Sequence, residues 1–215
     1  MSVTGYAPPR GLVAAEGGYQ VFELAGGEWA ILGFSVIAAL LAIAVGGHLV
    51  RGVLAADQGT PKMIEIAQAI QEGAAAYLRR QFRTITIILI PLAAVVFLTS
   101  TEVLKPDGSQ ALSFFESGLF RTLAFIAGGI LSGLTGYIGM TLATRGNVRT
   151  AAAARSGSLP DSLKVAFRTG GIAVMFTVGL GLLGATIIIM LFQNTSSAIL
   201  VGFGFGGSLL ALFLR

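Results

Sequence analysis

Charges are spaced along this chain so that four long stretches have none: residues 29–50, 84–101, 122–144 and 169–214. An α-helix needs about 20 consecutive apolar residues to cross the hydrocarbon core of a bilayer. The first three stretches therefore predict one crossing each. The fourth is long enough for two, and Gln193-Asn194-Thr195-Ser196-Ser197 marks a turn between them. The pattern predicts an all-α, polytopic membrane protein with about five transmembrane helices, spanning 29–50, 84–102, 120–144, 167–192 and 198–215. Residues 1–28 have no early apolar run and carry three glutamates, so they read as a polar tail rather than a signal peptide.

The segments between spans fix an orientation. Segment 51–83 carries Arg51, Lys62, Arg79, Arg80 and Arg83, and segment 145–166 with the start of the next span carries Arg145, Arg149, Arg155, Lys164 and Arg168. The opposite side has Arg10, Lys105 and Arg121. Basic residues concentrate on the cytoplasmic side of membrane proteins. The two basic segments are thus predicted to be cytoplasmic loops, with the N-terminus outside a bacterial-type plasma membrane. Segment 51–83 also has helical character. Thr60 suits an N-cap and Pro61 the first helical position. Met63, Ile66, Ile70, Ala74, Tyr77 and Leu78 then recur at three- and four-residue spacing. The spacing predicts one helix over about 61–101, kinked near Pro91. The rival is a separate helix lying on the membrane surface.

Composition agrees with this picture. Hydrophobic residues make up 54% of the chain and charged residues 11%, against about 25% charged in a soluble domain. The formal net charge of +4 reads as topology rather than as a nucleic-acid surface. There is no cysteine, which excludes disulfides and thiolate metal sites. Glycine reaches 30 of 215 residues. Gly129-x-x-x-Gly133, Ser132-x-x-x-Gly136 and Gly202-x-x-x-Gly206 have the small-residue spacing that lets membrane helices approach closely. Gly129, Gly133, Gly136, Gly202 and Gly206 are the candidate packing residues.

Little else points to chemistry. Gly179-Leu-Gly181-Leu-Leu-Gly184 and Gly202-Phe-Gly204-Phe-Gly206-Gly207 both fit G-x-G-x-x-G. A dinucleotide site needs a preceding strand and a later acidic residue, and both matches lie in uncharged spans with no acid after them. His48, the single histidine, and Trp29 mark opposite ends of the first span as interfacial residues. Asn194-Thr195-Ser196 reads as a turn. The ten carboxylates are scattered over tails and loops, none inside a span and no two three or four residues apart. From the residues alone no metal cluster, nucleophile–base pair or catalytic site can be built.

Several stretches resemble one family. Gly59-Thr60-Pro61-Lys62-Met63 and Ala69-Ile70-Gln71-Glu72-Gly73-Ala74-Ala75-Ala76-Tyr77-Leu78-Arg79-Arg80-Gln81-Phe82-Arg83-Thr84-Ile85 resemble the second helix of membrane-bound, ion-translocating inorganic pyrophosphatases. Gly136-Tyr137-Ile138-Gly139-Met140 and Ala143-Thr144-Arg145-Gly146-Asn147-Val148-Arg149-Thr150-Ala151 resemble its third helix, with glycine at 146 where alanine is more usual. Ala166-Phe167-Arg168-Thr169-Gly170 and Val178 to Gly184 resemble the fourth helix, and Gly202 to Ser208 with Ala211 to Arg215 the start of the fifth.

The resemblance implies about sixteen helices in two concentric rings, each needing about 20 residues to cross. It implies a homodimer in which helices 1–4 are outer and helix 5 is the first inner one. It implies an N-terminal part of a pump that hydrolyses Mg2+-bound pyrophosphate and moves protons, or alternatively sodium, out of the cytoplasm. The magnesium-binding lysines and aspartates would follow residue 215, so these residues alone are expected to bind no metal and to be inactive. The resemblance places Arg215 at the ion gate. Arginine at the end of an apolar helix is costly unless acids or water meet it. The partners implied are pyrophosphate, the proton, the remaining helices, a second copy and the lipid bilayer, with no nucleic acid. A different class of function, a small non-enzymatic membrane scaffold or transporter subunit, predicts a polar group inside a span. No candidate for a functional polar group inside a span is found apart from Arg215, Ser and Thr.

Overall fold

The structure, a computed structural model, describes residue 19, residues 24–105 and residues 107–214. Most of the N-terminal tail, and Arg215, lie outside the described residues.

Among the described residues, five long helices are joined by short links. Helix α1 is Gly26–Leu54, α2 is Pro61–Leu98, α3 is Phe114–Arg155, α4 is Leu159–Phe192 and α5 is Ser196–Leu214. A 3-10 turn over Gln193–Thr195 separates the last two. Among the described residues, four helical stretches are long and apolar enough to cross a membrane, the fourth being Leu159–Leu214, which contains both α4 and α5.

The helix starts follow from capping. Thr60 Oγ1 accepts the amide of Met63 at 3.4 Å, with Pro61 at the first turn of α2. Ser113 and Glu116 close a reciprocal capping box on α3. Ser158 Oγ accepts the Asp161 amide at the start of α4. Helix α2 runs unbroken for 38 residues, through Pro91, from the basic segment into the apolar one.

The helices extend past the uncharged stretches. Helix α3 passes through Arg121, Arg145 and Arg149 to Arg155, and only residues 156–158 separate it from α4. Gly157, at φ +81°, makes that reversal. Arginine and alanine, which dominate residues 145–155, are good helix formers, so charge marks where the apolar core ends but not where the helix does. Helix α1 likewise begins at Gly26, with Glu28 in its first turn and Arg51 in its last, both favourable to the helix dipole. A small antiparallel hairpin, β1 Val103–Leu104 with β2 Gln110–Leu112, joins α2 to α3.

Helix α3 is the hub. It packs on α2, α4 and α5, and α1 packs on α4. Two apolar clusters hold the bundle. One centres on Val53, Leu142 and Ile172, the other on Ala124, Ile188 and Ile199. Large side chains such as Phe34, Ile90 and Leu191 stay exposed on the outside.

Candidate functional site

Helices α3 and α5 meet backbone to backbone. A Cβ on Gly202 would collide with the carbonyl oxygen of Arg121, and one on Gly206 with that of Phe125. From the other side, a Cβ on Gly128 would collide with the carbonyl oxygen of Phe203. The partners advance together in number, so α3 and α5 run parallel. Gly133 faces Leu210 Cδ2 at 2.8 Å and Gly136 faces Leu214 Cδ1 at 2.7 Å, both measured from an ideal Cβ position. Gly129 has more room, with Leu89 at 3.4 Å. No hydrophobic force drives helices together in lipid, so such close approach, with its van der Waals and Cα–H···O contacts, is what holds them.

The two G-x-G-x-x-G matches divide into individual packing positions on α4 and α5. Gly179 receives Ile43 of α1 and Gly184 receives Phe203 of α5, whereas Gly181 and Gly204 meet nothing within 4 Å. His48 is exposed on α1, and Asn194 lies in the 3-10 turn.

Arg149 carries a role that counting charges did not show. It is 7% exposed. Its Nη2 donates to the Leu54 carbonyl at 3.0 Å and its Nη1 to the Arg145 carbonyl at 2.7 Å. Leu54 ends α1, so a buried cation satisfies a carbonyl at the negative end of that helix and ties it to α3. Near the opposite end of α3, Ser117 Oγ, Arg121 Nε and Thr122 Oγ1 are buried without a hydrogen-bond partner among the described residues.

Between α2 and α3 runs a groove of about 660 Å³ whose floor is Leu210 of α5. Phe82 and Tyr137 meet edge-on in it, at 6.4 Å between ring centroids. Gln81 Nε2 donates to the Phe213 carbonyl, which ties α2 to the end of α5.

Among the described residues no three His, Asp or Glu side chains come together as a metal site.

The profile of the inorganic H+ pyrophosphatase family matches residues 40–215, from the middle of α1 to the last residue. The chain belongs to that family. Similar curated relatives are K(+)-insensitive pyrophosphate-energized proton pumps. That of Chloroflexus aurantiacus is 45% identical over 193 residues, which is 87% of this chain and 24% of the relative. That of Streptomyces avermitilis is 43% identical, over 83% of this chain and 23% of the relative. That of Streptomyces coelicolor is 42% identical, over 89% of this chain and 24% of the relative. The chain spans about a quarter of the length of these relatives. Family membership leaves the non-enzymatic scaffold alternative without support.

Proposed function

We propose that this chain works as the N-terminal part of a membrane pump that couples pyrophosphate hydrolysis to proton export from the cytoplasm. The observation that supports it most is the continuous family match over residues 40–215, in a chain whose helices can cross a membrane. In this proposal the described helices are scaffold. The basic segments 51–83 and 145–166 face the cytoplasm and the N-terminus faces outside. Gly129, Gly133, Gly136, Gly202 and Gly206 are packing residues that set α5 against α3. Arg215 follows α5 as the cation of the ion gate. The lysines and aspartates for magnesium pyrophosphate belong to the longer protein, which acts as a homodimer in a bacterial-type plasma membrane. The relatives' names favour protons over sodium and independence from potassium.

The test uses the full-length protein in sealed vesicles. Adding pyrophosphate with magnesium should release phosphate and acidify the compartment facing the helix α1 N-terminus. Arg215→Ala should abolish pumping or uncouple it from hydrolysis. Unaltered hydrolysis and pumping in that variant would overturn the gate assignment. Residues 1–215 expressed alone should release no phosphate.

A further inference from the structure

The groove between α2 and α3 has the shape and charge of a lipid site. Along α2 its lining runs from Gln71 to Leu89. At 1.5 Å per residue that is about 27 Å, compared with roughly 20 Å for one leaflet with its head-group layer. Spread over that length, a groove of about 660 Å³ is long and narrow, and a single hydrocarbon chain fits it.

The lining is graded along its length. Phe82, Ile85, Leu89, Ile130 and Leu134 line the deeper part, while Arg79, midway along the α2 lining, and Arg145, at the end of the α3 lining, both lie on the side of Phe82 nearer the basic segments. No carboxylate lines the groove. Neither arginine forms an ion pair among the described residues, where the ion pair present is Lys62–Glu65 at 2.8 Å. The hydroxyl of Thr86 is occupied by the Phe82 carbonyl at 2.9 Å, and that of Thr144 by the Thr141 carbonyl at 3.0 Å. The apolar part therefore offers no free hydroxyl from these threonines, and the charged end offers two cations without a counter-ion. Cytoplasmic leaflets carry anionic lipid, and basic pockets between helices on that side bind anionic head groups.

We propose that this groove binds one anionic phospholipid, with its phosphate on Arg79 and Arg145 and one acyl chain along Phe82, Ile85 and Leu134. The site rests on the membrane placement proposed above but not on pumping.

The experiment places a reporter in the groove of the full-length protein. Tyr137→Trp keeps an aromatic ring against Phe82. The protein is reconstituted in phosphatidylcholine vesicles containing brominated phosphatidylglycerol, or brominated phosphatidylcholine at the same fraction. Quenching of the added tryptophan, read against the parent protein, should be stronger with brominated phosphatidylglycerol. Each arginine near the surface should contribute roughly fivefold in lipid preference, so Arg79→Gln with Arg145→Gln should lower it by about 25-fold. Equal quenching by the two lipids would mean contact with bulk lipid only. Absence of quenching by either would mean that another segment of the protein fills the groove. Either result overturns the site. Neither readout depends on hydrolysis or transport, so failure here leaves the pump proposal standing. Arg79→Lys with Arg145→Lys, which keeps both charges, should retain most of the preference even if the glutamine variant folds poorly.

Discussion

Single atoms decide the behaviour of the glycines. A Cβ at Gly206 has no space beside the Phe125 carbonyl, whereas one at Gly204 meets nothing within 4 Å. Gly206→Ala should therefore destabilise the protein by about 1–3 kcal/mol or force α5 away from α3. Gly204→Ala should be neutral or stabilise by up to about 1 kcal/mol, because it only removes the glycine cost inside a helix. Thermal unfolding of the two variants in detergent checks the contrast. Gly146 is a tight position of the same kind. The γ atoms of Thr169 on α4 occupy the place where its Cβ would stand. Gly146→Ala should destabilise, and adding Thr169→Ala should recover part of the loss, so that the double-mutant cycle shows coupling of at least about 0.5 kcal/mol.

At the scale of elements, the ends of helices carry information that hydropathy does not. The start of α2 was legible because Thr60 and Pro61 have specific jobs at a helix N-terminus. The extensions of α3 to Arg155 and of α1 to Gly26 were not, because charge reports where lipid stops and says nothing of where backbone hydrogen bonding stops. The hairpin between α2 and α3 escaped for a related reason: strands of two and three residues show no usable alternation. Arg149 was legible only as a positive charge, since its carbonyl partner Leu54 is distant in sequence. The capping box gives α3 a pH dependence. The Ser113 amide and then its hydroxyl donate to the Glu116 carboxylate and hold its pKa below the usual value. This stabilisation is complete above the unfolded glutamate pKa of about 4.3 and is lost as pH falls through the lower folded value. The stability difference between the parent and Glu116→Gln should thus be constant near neutrality and shrink only at lower pH, as followed by thermal melts in acidic buffers.

For the whole molecule, the matched relatives are about four times as long as the stretch they share with this chain, and the proposed function sets these helices in such a longer machine. If the longer protein shares the property named in its relatives, pyrophosphate hydrolysis in potassium-free buffer should match that in potassium-containing buffer within about twofold, a difference below about 0.4 kcal/mol in activation free energy. A strong rise with potassium would separate it from them. The glycine contact also governs how such a machine can move. Sliding α5 by one turn in one direction carries Leu210 onto the Phe125 carbonyl. Sliding it the other way carries Ala198 onto that of Arg121. Both put a side chain where only a glycine fits. The contact thus opposes sliding of α5 past α3 by a helical turn and favours axial movement of the two helices as a pair.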